Sequence, residues 1–536
     1  MYRKTQTVFA VIMCLCVLLL SSCKKNGSNE LQQNTSKPND TVTEINSFED
    51  LLDENGKINV DYLKDKTVSV IINNYDDRVY IEHKGKPHYY NPVYISYDQI
   101  IANTNIAADK KDAVLEEAFS NAKQCGFKSV ALYVNWKDFY NGTSYNFDYY
   151  KIYYTLAEKY DLKLSIIWNG YAKTGFMPWQ TDRTKYPALT TELEVNVPDL
   201  SQQIYIDEAV EAITQFCGWL NFVDNNCRTV SIQLEDEANT DFGNGNWLSQ
   251  YSNYSVILEK MAKAVKSSPY KMVTTVGLSF DDYYVLDNDI SGKERFSELL
   301  SKKSIDGVGL ADLISSDASI NVIDNSKKLC YVSKLSPATY DFFERSLSLI
   351  KQGYSFGVYE LKSFDFSINC GIYRTHSTNW LPRDRQNVNH GILAKKRSVE
   401  SATADVIDYV KAINSIGEIL AVNSTADICV MNIGAVNNFV INMQVGDTSL
   451  AFDNSINPAF TYNSAGICVV DPYSNYYIFA FHGTPTAIIH FDSDFKYSEG
   501  FYENGEWVAN GEEIPAQNNS ISLKSGTVYK FGVEKQ

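Results

Sequence analysis

Residues 228–240 read RTVSIQLEDEANT. Apolar and polar side chains alternate as far as Leu234, the period of a β-strand. Three acids then follow at once: Glu235, Asp236 and Glu237. The alternation puts Val230, Ile232 and Leu234 on one face, turned toward covering helices. Ser231, Gln233, Glu235 and Glu237 share the other face, turned into a barrel. Asp236 lies off that line unless the strand has already ended. A buried strand that finishes in acids suits a parallel barrel, whose chemistry gathers at the C-terminal ends of its strands. The alternatives are a solvated acidic loop, or a structural ion pair with an inward-facing Arg or Lys.

The flanking sequence repeats the same grammar. Short β-branched runs alternate with amphipathic helical stretches over residues 51–420, the signature of a βα repeat. RVYIEHKGKPHYYNPVYISY reads as a hairpin leading into a first barrel strand near Val93–Tyr97. FKSVALYVNW and LKLSIIWNG are the second and third strands, and the quoted stretch is the fourth. YKMVTTVGL, SIDGVGLA, KKLCYVSKL and YSFGVYELKSF supply four more. Eight strands make a (β/α)8 TIM barrel. Over residues 421–536 helices give way to short strands and turns, which predicts a C-terminal all-β sandwich.

The N-terminus reads as a targeting segment. Arg3 and Lys4 precede the apolar run VFAVIMCLCVLLL, and LSSC closes on Cys23. That order resembles the lipobox of bacterial lipoproteins, which implies a signal peptide over 1–23, lipidation of Cys23 and a flexible polar tether over 24–50. The expected location is therefore a bacterial membrane, most naturally the outer one, reached through lipid alone. A net charge of −17 argues against nucleic acid or an anionic membrane surface as a partner. The seven cysteines beyond Cys23 are scattered through apolar runs, which reads as buried thiols, with a Cys217–Cys227 disulfide as the alternative. No metal-ligand spacing and no phosphate loop occurs, so no metal and no cofactor is expected.

Several segments in order resemble the retaining glycoside hydrolases of clan A, in particular the family 35 and family 42 β-galactosidases and their bacterial lipoprotein relatives. These are GKPHYYNPVYISY, LYVNWKDFYNGTSYNFDYYKIYYTLAEKYDLKLSIIWNG, YAKTGFMPWQTDRTKYP and RTVSIQLEDEAN. The resemblance implies a β-glycosidase acting on carbohydrate, with Glu237 as acid/base and Asp236 where the family has a sugar-binding Asn. Retention needs a second carboxyl about 5–5.5 Å away, which the family carries on strand seven. Lys334 stands there in this chain. Glu360, at the end of strand eight, is the remaining candidate nucleophile. The alternative is a barrel that binds glycan without cleaving it.

Other residues at strand ends complete the expected site. Trp136, Trp168 and Trp179 either stack on sugar rings or pack in the core. Asn135 and Asn169 either bind hydroxyls or cap helices. Glu235, Lys334 and Tyr359 are expected to contact substrate beside them. Residues 363–392, with Tyr373, Arg374, His376, Trp380 and Arg383, are long enough for a functional rim. The 37 tyrosines suit sugar faces or an ordinary aromatic surface.

Overall fold

The computed structural model describes residues 48–73, 78–104, 106–190, 196–236, 244–279, 290–311, 327–337, 342–359, 361, 404–433, 440–445, 448–453, 464–474, 476–483, 488–491, 494–503 and 505–533. Eight parallel strands close into a barrel. They are β1 (Val93–Tyr94), β2 (Ser129–Asn135), β3 (Lys163–Asn169), β4 (Thr229–Leu234), β5 (Val273–Ser279), β6 (Gly307–Ala311), β7 (Leu329–Leu335) and β8 (Ser355–Val358). Each pairs with its sequence neighbours, and β8 closes on β1 at Val358 and Val93. The expected (β/α)8 barrel is the fold, with KKLCYVSKL as its seventh strand.

One detail of β4 departs from simple alternation. Its register against β3 shifts between Thr229 and Ser231. A bulge of this kind adds a residue and reverses the facing of what precedes it. Val230 therefore does not join Ile232 and Leu234 toward the helices. It packs inside the barrel with Tyr90, Val273, Leu329 and Tyr331. Above this layer Gln233 points inward as expected, and its Oε1 accepts from the Tyr331 hydroxyl at 2.9 Å. Room for these groups comes from glycines: a Cβ at Gly309 would lie 2.1 Å from Gln233 Oε1, and one at Gly277 would lie 2.1 Å from the Glu235 carbonyl oxygen.

The N-terminal end of the barrel is closed by a three-stranded antiparallel sheet, Ser69–Asn73, Val79–His83 and Lys86–His88. Its apolar face, Ile81 with Val79 and Ile71, covers the Val230 layer. The Ser69 hydroxyl donates to the Val230 carbonyl and accepts from the Val273 amide at 2.8 Å, which pins the sheet to two barrel strands. His83 lies in this cap, 4% exposed, with Nε2 2.7 Å from the Cys227 carbonyl.

After the helices Ala404–Ser415 and Gly417–Val422 the chain becomes all-β. Two antiparallel sheets follow, one beginning with Ile428–Ile433 and the other with Val440–Val445. They enclose Met431, Phe452, Phe479, Phe481 and Phe531. The sandwich sits on the barrel's last helices: the His482 ring stacks on Phe343 at 5.0 Å and meets Tyr409 at 6.0 Å. Cys125, Cys217, Cys227, Cys330, Cys429 and Cys468 are free thiols, so the alternative of a Cys217–Cys227 bridge is not realised.

Two tests follow from this packing. Gly277→Ala pushes a methyl onto the Glu235 carbonyl and should lower stability by about 1–3 kcal/mol in denaturant unfolding; an unchanged midpoint would show that the barrel has slack there. Burial pulls the His83 imidazole down to about 4, below its unfolded value. The unfolded chain then binds the proton first, so stability is full above about pH 6.5 and falls as pH drops toward 4. His83→Asn should flatten that part of the pH–stability curve by about one proton, read from unfolding midpoints at several pH values.

Candidate active site

The strand β4 stops at Leu234 because Glu235 adopts a left-handed backbone, φ 62°. That conformation is uncommon for a residue with a side chain and persists only where its surroundings impose it. Here they do: the Glu235 amide donates to the Trp168 carbonyl at 2.8 Å, and its carbonyl accepts from Gln233 Nε2 at 3.1 Å. The carboxylate is 2% exposed and accepts from the Gly170 amide at 3.1 Å. A side chain at Gly170 would collide with it, 2.4 Å from Oε1. Glu235 thus binds the exit of β3 and does not continue the inward row.

The turn reverses the facing of the next residue. Asp236, expected off the inward line, points into the barrel and is fully buried. Its Oδ2 accepts from the Tyr133 hydroxyl at 3.0 Å and forms an ion pair with Lys334 Nζ. Lys334 reaches it because β7 has its own irregularity. Leu310 pairs with Val332, but the next residue of β6, Ala311, pairs with Lys334. The extra residue re-aims the lysine into the barrel. Its ammonium lies 5.2 Å from the Tyr133 ring centre and 5.7 Å from that of Tyr359, within cation–π range. Below it, burial and then the charges of Tyr133 and Asp236 push the Tyr94 phenol well up, so it stays protonated.

Closer to the mouth, β2 and β3 end in paired asparagines. Asn135 Nδ2 faces Asp98 Oδ2 at 3.0 Å and Asp138 Oδ2 at 2.8 Å. Carboxylates only accept, which fixes this amide's orientation. Its Oδ1 then accepts from Asn169 Nδ2 at 2.9 Å, which leaves Asn169 Oδ1 as a buried acceptor with no donor among the described residues. Asn135 has its donors and its acceptor fully engaged and acts as the holder; Asn169 presents the open acceptor. Burial, opposed by the Asn135 bond and helped by Asp98, raises the Asp138 carboxyl.

The tryptophans divide between the two readings left open for them. Trp168 faces outward, fully buried between Phe139 at 5.4 Å and Phe216 at 5.6 Å. Odd parity on β3 sends Ile167, not Trp168, into the barrel. Trp136 is also buried, edge-on to Tyr171 at 5.3 Å and Trp179 at 5.4 Å. Both are core aromatics without a free face. Trp179 is half-buried, and its Nε1 donates to Glu208 Oε2 at 3.3 Å.

Sequence reasoning missed Tyr133, Tyr331 and Glu208. Tyr133 sits two residues before Asn135, so the inward parity of β2 was the available signal. Glu208, on the helix Gln203–Val223, also accepts from Gln180 Nε2 at 2.8 Å and braces the loop after β3. Glu237, Glu360, Cys23 and residues 363–392 lie outside the described residues.

The buried pair sets up a thermodynamic cycle. Lys334→Met strands the Asp236 charge and should cost about 3–5 kcal/mol. Adding Asp236→Asn should recover most of that loss. Unfolding of the single and double variants measures it; a single variant no worse than the double would mean that Asp236 is already neutral.

No protein-family model matches the chain, and no curated protein matches it. The solved structures that resemble it include glycoside hydrolases. The family 30 subfamily 8 xylanase of Clostridium acetobutylicum aligns at 11% identity and TM-score 0.38, over 83% of this chain and 96% of that one. A family 39 glycoside hydrolase of the gut symbiont Bacteroides cellulosilyticus aligns at 12% and 0.37, over 85% and 84%. The cold-adapted β-galactosidase of Rahnella aligns at 10% and 0.43, over 67% of this chain and 58% of that one. None of these likenesses carries an activity over to this chain.

Proposed function

We propose that the protein is a lipid-anchored bacterial glycoside hydrolase that cleaves β-linked glycans, β-galactosides first among them, at the C-terminal mouth of the barrel. The observation that carries this reading is the end of β4: a left-handed Glu235 and a buried Asp236–Lys334 pair immediately before Glu237. Strain and buried charge are both unfavourable for stability, and such features concentrate at functional sites. The sequence resemblance of RTVSIQLEDEAN to the family's acid/base segment supplies the substrate class. In this reading Glu237 is the acid/base and Glu360 the nucleophile of a retaining mechanism. Lys334 neutralises Asp236, so its charge does not repel the working carboxylates. Asn169 accepts from a sugar hydroxyl, and Tyr359 and Trp179 contact the rings. Cys23 carries the lipid, which leaves the barrel outside the cytoplasm on an outer-membrane tether.

A second reading has a specific observation behind it. The strand-seven position that holds a carboxylate in the resembling family holds Lys334 here, already paired with Asp236. A barrel so altered would bind glycan without hydrolysis.

Sugar release from aryl β-glycosides and galactans by residues 24–536, against Glu237→Gln and Glu360→Gln, separates the two. Hydrolysis predicts turnover by the wild type and a loss of roughly 10²–10⁴-fold in kcat for Glu237→Gln. Loss in Glu237→Gln alone would keep the enzyme and reject Glu360 as nucleophile. Retention of one glycan on an affinity gel with no release by any variant would establish the binding reading instead.

A further inference from the structure

At the opposite, N-terminal end of the barrel lies a second polar centre that the proposed function does not use. Arg78 is 4% exposed. Its Nη2 donates to the Leu420 carbonyl at 2.7 Å and its Nε to the Ala421 carbonyl at 3.3 Å, so two of its three nitrogens serve the end of the helix Gly417–Val422. Nη1 has no acceptor among the described residues. The backbone is bared beside it: a Cβ at Gly353 would stand 2.2 Å from Nη1.

His88, also 4% exposed, faces the same cavity. Its Nδ1 is 3.3 Å from Lys163 Nζ. An ammonium only donates, so Nδ1 accepts and the ring proton sits on Nε2. That Nε2–H has no acceptor among the described residues either. Arg78 and His88 both line a cavity of about 10 Å³, bounded also by Tyr89, Cys330 and Ser355. The volume suits one occupant the size of a water molecule.

Two residues that line one small space therefore each keep a donor with no acceptor among the described residues, and two cations stand beside it. Arg78 is a cation, and Lys163 stands behind the imidazole; burial lowers that amine to about 8, which leaves it mostly charged at neutral pH. Two acids act on Lys163, Glu418 and Asp161; the first accepts from the Gly505 amide of the sandwich, and the second pairs with Arg228. No carboxylate is bonded to Arg78 among the described residues. The helix carbonyls supply only partial negative charge, and a buried cation without a full counter-charge is strongly unfavourable.

We infer that this cavity holds a small monovalent anion of chloride size, bound by Arg78 Nη1 and His88 Nε2–H. The ion joins three parts of the fold: the capping sheet through His88, the Arg78 that precedes its middle strand, and through Arg78 the helix that leads into the sandwich. The site is structural and stands whether or not the mouth hydrolyses glycans.

Crystals of residues 24–536 soaked in bromide provide the direct test. An anomalous peak within hydrogen-bond reach of Arg78 Nη1 and His88 Nε2 is expected. A water or a protein carboxylate on those two donors, with no peak, would overturn the site. In solution, Tm should rise saturably by about 1 °C or more in chloride over gluconate at equal ionic strength. His88→Leu should abolish that difference; a chloride response unchanged in the variant would count against the assignment. Should His88→Leu fail to fold, the bromide peak decides alone.

Discussion

The mouth of the barrel is organised around a deeply buried charge pair. Asp236 leaves β4 and Lys334 leaves β7, and they meet inside the barrel over the rings of Tyr133 and Tyr359. Neither residue would be tolerated there alone. Each also needs a local defect to arrive: the left-handed Glu235 on one side and the slipped register of β7 on the other. The first of these in turn requires bare backbone beside it, at Gly170 and Gly277. One interaction thus dictates two strand ends, two glycines and the aromatic floor.

The interior below that floor is unusual for its class of barrel. Branched aliphatic side chains commonly fill such layers. Here tyrosines and a glutamine do much of the filling, with Tyr90 against Tyr331 at 3.9 Å and Gln233 bonded to the latter. Large rings need room, and glycine on β5 and β6 provides it. The Tyr331 hydroxyl finds its partners inside, Thr275 at 2.7 Å and Gln233 at 2.9 Å, so it is satisfied without solvent.

Much of this was legible before any coordinates. Hydrophobic period and turn residues located all eight strands, because a barrel strand must be apolar toward its helices whatever else it does. What alternation could not foresee were its own interruptions. Val230 faces inward because of a bulge, Asp236 because of a left-handed residue, and Lys334 because of a slipped register. Each is a one-residue event with no compositional signature, and each reverses the facing that parity assigns. The tryptophans at strand ends were ambiguous for another reason: a one-residue offset along β3 separates the barrel lumen from the helix layer. Asn135 and Asn169 were found by position, but which of them holds and which presents follows only from the carboxylates beside Asn135.

The cap over the barrel's N-terminal end carries a consequence for how the chain becomes a protein. Ser69 bonds the backbone of Val230, and Arg78 bonds that of Leu420, so a segment near the start of the fold is anchored by residues far along the chain. Loop closure over such separations is slow, and long-range contacts form late. The cap leaves the ribosome early yet has nothing to dock on until β4, β5 and β7 exist. Until then Ile71, Val79 and Ile81 are an exposed apolar hairpin, an edge open to unwanted pairing. In the proposed export across a membrane the chain would meet that hazard on the far side, where holding the hairpin apart would become a task for whatever receives it.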